Sequence, residues 1–422
     1  MRRLLQPSSF FSIAIILAVF VMVAYANWRD AARSRRPHTV ALPIGTPGAP
    51  ATSREALDRR INDMEARLAN RPDDTGAALA LADALLRQTR VSGNTGLAVR
   101  AEQLLKTALG EDPADYDARR MLGALYLSQH RFREAIKVGE SNRDARPYDP
   151  VNYGVIGDGH LEVGEYAEAF DAFDRMMTLR PSASAYSRVA YARELQGNLA
   201  GALASMKLAA DATGADDPEA LAWTRSQIGE LYFQMGKLRE AKREYAAASR
   251  AFPGHPFAVI GYAKTIAAEG DLGGALTLLQ DLAQQSPTPD LAARIGDLLG
   301  RLGRHEEAET QYALAEAGWR VDAPEPKNLA RFLADHGRKI DEAVTLAERA
   351  AVGRHDIFTE DALAWAYFKA GRLADAARAS AQALRTGSRD RDVLYHAAAI
   401  KQAQGDKGAA RTLMARALAE RR

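Results

Sequence analysis

Cysteine is absent from the 422 residues. Its absence excludes disulfides, Cys-based zinc sites, covalent haem attachment and thiol catalysis. Aromatic residues are scarce, at 7% of the chain against 47% apolar residues, and much of the apolar share is alanine. Such a core suits closely packed helices, because Ala has the best helix propensity and lets backbones approach. Runs of β-branched residues alternating with period two are also lacking, so strands are not expected. No charge sign is in excess: 56 basic and 54 acidic residues leave a formal net charge of +2. Nucleic-acid binding calls for a strongly basic footprint, and this balance argues against it. The sequence contains no phosphate loop, dinucleotide fingerprint or G-x-S-x-G elbow. His305-Glu306-Glu307 comes nearest to a metallopeptidase helix, but the second His four residues on is missing. No catalytic, cofactor-binding or metal-binding residue is therefore assigned. An enzyme with a site on the repeat surface is the remote alternative.

Charge is missing locally as well. Residues 4–28 contain no charged side chain, and their apolar centre, residues 10–26, reads FFSIAIILAVFVMVAYA. That is about the minimum length for a membrane-spanning helix. Tyr25 and Trp28 stand where interfacial aromatics belong. Residues 1–9 form a short N-terminus with Arg2 and Arg3, 10–28 a transmembrane or signal-anchor segment, and 29–53 a Pro/Ala-rich linker. A cleaved signal peptide is the rival reading, since Ala24-Tyr25-Ala26 matches an A-x-A site. Arginines flank the segment on both sides (Arg2 and Arg3 before it; Arg29, Arg33, Arg35 and Arg36 after it), so the positive-inside count is nearly tied. The signal-like segment and the stalk-like linker favour an extracytoplasmic, periplasmic location for the rest of the chain. A cytoplasm-facing protein is the alternative. Residues 54–70 form a separate helix with the stripe Leu57, Ile61, Met64 and Leu68, and Thr52 with Glu55 fits a capping box.

What the remainder has in abundance is repetition. One glycine recurs as Gly164, Gly197, Gly236, Gly270, Gly303, Gly337, Gly371 and Gly405, at steps of 33, 39, 34, 33, 34, 34 and 34. An alanine follows each: Ala169, Ala202, Ala241, Ala275, Ala308, Ala343, Ala376 and Ala410, with Ala101 and Ala135 upstream. Pro113, Pro147, Pro181, Pro253 and Pro287 close units. The glycine ends a first helix, where a left-handed residue is wanted. The alanine opens the inner face of a second helix, where a larger side chain would hold the pair apart. Neither helix pair can bury its apolar face alone, so neighbours must stack.

These landmarks resemble the tetratricopeptide-repeat (TPR) family. Ile228-Gly229 with Tyr232, Gly236, Ala241, Tyr245, Ala248 and Pro253 carries the resemblance best; Ile156-Gly157 with Gly164, Tyr166, Ala169, Phe173 and Pro181 comes close. The resemblance implies an all-α solenoid over residues 76–422, of about nine to ten repeats, wound as a right-handed superhelix and preceded by the one transmembrane helix. Departures from the period at residues 89–96, 213–218 and 335–341 are expected to be loops.

In this family the first helix of each repeat lines a concave groove. Register then places Asp158, Tyr191, Glu230, Phe233, Lys264, Asp297, Lys327, Arg331, Trp365, Phe368 and Tyr395 there. Phe233, Trp365, Phe368 and Tyr395 are expected anchors, Trp365 foremost, because exposed aromatics concentrate binding energy. The resemblance implies a non-catalytic, membrane-tethered adaptor or scaffold for protein or peptide partners, without nucleic acid or cofactor, in envelope complex assembly or biogenesis. A scaffold in polysaccharide or protein secretion is the alternative.

Overall fold

The computed structural model describes residues 53–214, 217–321 and 326–418. These form twenty-one α-helices and, among the described residues, no strand. A single helix α1 (Arg54–Asn70) precedes ten helix pairs. The first five pairs are α2 (Thr75–Ser92) and α3 (Gly96–Glu111), α4 (Tyr116–Ser128) and α5 (Phe132–Ala145), α6 (Pro150–Val163) and α7 (Tyr166–Leu179), α8 (Ala183–Leu195) and α9 (Leu199–Thr213), α10 (Pro218–Gln234) and α11 (Leu238–Ala251). The next five are α12 (Pro256–Glu269) and α13 (Leu272–Gln285), α14 (Pro289–Arg301) and α15 (His305–Val321), α16 (Pro326–Asp335) and α17 (Ile340–Ala351), α18 (Ile357–Lys369) and α19 (Leu373–Ala383), α20 (Arg391–Ala403) and α21 (Lys407–Leu418). Each helix packs on the next, and several first helices also touch the following first helix. The expected spanning segment, 10–28, lies outside the described residues. Among those described, no helix is long and apolar enough to cross a membrane.

The periodic residues explain the pairing. The recurring alanines are almost all sealed: Ala101, Ala135, Ala169, Ala202 and Ala241 are wholly buried. Inside a pair, the glycine of the first helix admits the aromatic of the second. A Cβ added to Gly229 would stand 2.9 Å from the Tyr245 ring, so a side chain there would force the helices apart. The turn glycines take left-handed backbone, with φ 84° at Gly164 and 71° at Gly236. The second pair has no such glycine, and His130 adopts φ 60° in its place. The extra residue in the eighth pair is absorbed by Lys339, at φ 42°.

Two expectations change here. The cap of α1 is Ser53, whose Oγ accepts from the Ala56 amide at 3.3 Å; Thr52 lies outside the described residues. The irregular stretch 89–96 is only partly loop. Residues 89–92 extend α2 by a turn, and the connection is confined to 93–95.

That added turn meets a later part of the chain. Leu57 and Val91 join Ala222, Ala248, Phe252 and Ala258 in one buried apolar cluster. Arg54 donates to the Ser286 hydroxyl and to the Val91 carbonyl, each at 2.7 Å. Arg90 pairs with Glu219 in the same interior. A second closure lies further on. The His355 amide donates to the Val163 carbonyl at 3.2 Å, the Ile357 amide to the Tyr166 hydroxyl at 2.9 Å, and Arg354 pairs with Glu162. Successive turns of the superhelix therefore rest on one another.

Candidate functional site

Six residues before seven of the eight turn glycines stand Asp158, Tyr191, Glu230, Lys264, Asp297, Arg331 and Trp365. These positions lie on the first helices, where opposite charges from different pairs meet. Arg188 Nε donates to Asp158 Oδ2 at 2.9 Å. Glu230 accepts from the Tyr245 hydroxyl at 2.9 Å and from the Lys264 ammonium. That ammonium lies 4.0 Å from the centre of the Phe233 ring, a cation–π arrangement. Arg331 reaches two pairs ahead to Asp392 at 2.5 Å, with Asp335 at 3.5 Å. Asp297 accepts from the Tyr312 hydroxyl at 3.0 Å.

Burial sets the electrostatics. Leaving water costs an ion several kcal/mol, and attraction to its partner must offset that. Burial pushes the Asp158 carboxyl up to about 6 against the pull of Arg188, and pushes Arg188 down. It lowers Lys264 as well, opposed by Glu230. His396 Nδ1 lies 3.0 Å from Asp361 Oδ2. Burial alone would lower this imidazole, but Asp361 outweighs it and the ring is held above its ordinary value.

The same imidazole belongs to an aromatic stack. The Trp365 indole stacks with His396, at 4.0 Å and 14°, and with Phe368, at 5.1 Å and 16°. The Lys369 ammonium sits 4.8 Å from the indole centre, and Tyr395 packs edge-on at 6.2 Å.

The candidate lining residues thus fall into separate groups. Glu230, Phe233 and Lys264 meet on α10 and α12. Trp365, Phe368 and Tyr395 meet on α18 and α20, and Arg331 on α16 approaches Asp361, the partner of His396 in the stack, at 4.0 Å. Tyr191 is packed into an apolar core that runs from the second to the fifth pair and includes Ile357, Phe358, Ala383 and Val393, and Lys327 stands apart at the start of α16. Exposure differs from the expectation. Tyr191, Glu230, Phe233, Lys264, Lys327, Arg331 and Trp365 are all buried. Trp365, at 5%, is not an exposed anchor. The rings of His396, Phe368 and Tyr395 pack against it. Phe368 is half-buried, and Tyr395 is 42% exposed.

Sequence reading missed the partners that neutralise the lining. Arg188 and His396 stand nine residues before their turn glycines, and Asp361 stands ten before. That is one helical turn behind the lining position. The usable signal was opposite charge recurring at two adjacent helical positions.

Residues 96–140 and residues 227–290 each match the tetratricopeptide repeat family. Among solved structures, the chain is similar to yeast Tom70, at 14% identity over 85% of this chain and 89% of that one, with a TM-score of 0.44. It is similar to a thermophilic TPR protein of Thermus thermophilus, at 26% identity over 41% of this chain and 92% of that one, TM-score 0.37. It is also similar to pilF of Pseudomonas aeruginosa, at 17% identity over 54% and 99%, TM-score 0.39. No curated protein matches the sequence. The chain carries tetratricopeptide repeats, and its described residues form an all-helical solenoid of that type.

Proposed function

We propose that this protein is a non-catalytic adaptor, tethered to a membrane by residues 10–28, whose solenoid faces the extracytoplasmic side and holds a protein or peptide partner during envelope complex assembly or biogenesis. The uncharged run of residues 4–28 supports the tether. The observation that carries the binding reading is the edge of the aromatic stack. Tyr395 and Lys369 are exposed there, beside half-buried Phe368, on a base immobilised by Trp365 and His396. A rigid aromatic next to a cation loses little entropy on binding and suits a partner with an apolar and an acidic group.

The test is capture from native membranes by the full chain, with cross-linking and quantitative mass spectrometry, comparing wild type with Tyr395→Ala and Lys369→Gln. A discrete partner should lose about 30-fold in capture with Tyr395→Ala, equivalent to about 2 kcal/mol. Equal recovery by all three proteins would remove this edge from the binding surface.

A further inference from the structure

A cavity of about 470 Å³ opens between the turn of the second pair and the start of the eighth. Its size is that of a small-molecule site. Arg131, Arg133, Lys327, Arg349 and Arg354 line it, against Glu134 as the one carboxylate among the described lining residues. Several of these cations are already engaged. Arg131 pairs with Glu102 at 2.8 Å and Glu134 at 2.5 Å; Arg133 pairs with Glu165 at 2.7 Å; Arg354 pairs with Glu162 and, at 2.8 Å, with Asp356.

Lys327 differs. The residue is 4% exposed, and its ion-pair partner among the described residues, Asp356 Oδ1, is 3.9 Å away. That is too far for a hydrogen bond. Asp356 is also saturated: it accepts from the Phe358 and Thr359 amides at 3.0 and 3.1 Å, from Arg354, and from the Thr359 hydroxyl. Among the described residues, nothing takes a hydrogen bond from the Lys327 ammonium. Its Nζ keeps donors that no described residue takes as hydrogen bonds, and among the described residues lining the cavity basic side chains outnumber acidic ones. Arg349, exposed on the last turn of α17, makes no ion pair among the described residues. The positive end of α16 begins at Pro326, in the same wall.

We propose that this cavity binds a small phosphate-bearing ligand, with its anionic oxygens on Lys327 and Arg349. A multiply charged oxyanion would satisfy the ammonium and accept charge-assisted bonds from guanidinium groups. Because the second and eighth pairs both line the cavity, the ligand would also clamp two turns of the superhelix together.

Pyrophosphate is the probe, titrated against the full-length protein in detergent with thermal unfolding as the readout. Citrate and sodium chloride at matched ionic strength form the other arms. Pyrophosphate should raise the wild-type Tm saturably and beyond the salt control. The concentration for half the shift should rise at least 10-fold in Lys327→Gln and in Arg349→Gln. Arg378→Gln, on the exposed face of α19, should behave as wild type. Arg349 is exposed, so its variant keeps the test readable should Lys327→Gln fail to fold. Equal shifts in every variant, or a shift that sodium chloride reproduces, would reduce the effect to screening and overturn the proposal. A response to citrate alone would overturn the phosphate assignment.

Discussion

Arg90 and Glu219 stand 129 residues apart and form an ion pair with side chains only 3% and 1% exposed. In a simple repeat array each unit touches its neighbours and nothing else. This pair joins the first helix pair to the fifth. Arg87 stands 3.5 Å from the same carboxylate and His255 Nε2 also 3.5 Å, so Glu219 is the hub of the N-terminal closure.

Removing that charge should destabilise the fold strongly. Glu219→Gln leaves two buried guanidinium groups without their shared partner, and the expected loss is about 3–5 kcal/mol in denaturant unfolding. Glu134→Gln, on a half-exposed pair with Arg131, should cost no more than about 1 kcal/mol.

Acid should open the closures before it melts the helices. Burial pushes the Glu219 carboxyl up, but Arg90, the nearby His255 imidazole and Arg87 outweigh it and hold it at about 2. Burial likewise raises Asp356, and Lys327 and Arg354 lead the groups that bring it down to about 2. A carboxyl depressed in the folded state binds its proton more readily once unfolded. Its stabilisation is therefore complete above pH ~4.5 and is lost as pH falls towards ~2. For Glu219 that is about 3 kcal/mol. Asp158, pushed up instead, works in the opposite direction and favours the fold below pH ~4. Small-angle scattering from pH 5 to 2 should show expansion while far-UV circular dichroism still reports helix.

Two turn glycines separate backbone strain from turn-to-turn contact. Gly371, at φ 75°, has nothing within 4 Å of an added Cβ, so Gly371→Ala should cost about 1 kcal/mol from the left-handed backbone alone. Gly164 has φ 84°, and its Cβ would collide with the His355 carbonyl. Gly164→Ala should cost at least twice as much, measured as the difference in unfolding free energy. Equal costs would mean that the two turns do not touch.

Trp365 should behave as a core residue. Trp365→Ala removes a buried indole stacked with two rings, and the expected loss is about 3–5 kcal/mol of folding stability. A melting temperature close to wild type would place the indole at the surface.

Much of this was legible in the sequence. The glycine period marked out the helix pairs because left-handed turns and sealed alanines are local demands, satisfied within one unit. The same register put Glu230, Lys264, Arg331 and Trp365 on first helices. Exposure was not legible. Curvature is the sum of small rotations from pair to pair, and no single unit encodes whether the first turn will meet the fifth. Residues 89–92 show the consequence. As an interruption of the period they read as loop, yet they are helical because Arg90 and Val91 find partners more than a hundred residues away. Arg188, Asp361 and His396 were missed for a simpler reason: they lie one helical turn from the lining position that marks the repeat.

The closure of one turn on the next is open to direct measurement, because a chain without cysteine carries no background label. Asn94 and Gln285 are exposed and lie beside the first contact, where a Cβ on Gly93 would stand 2.8 Å from the Thr288 side chain. With spin labels at Asn94→Cys and Gln285→Cys, double electron–electron resonance should give one short, narrow distance distribution. Adding Glu219→Gln should lengthen and broaden it. A long distance in the parent protein, unchanged by Glu219→Gln, would show an open spiral and contradict the closed scaffold.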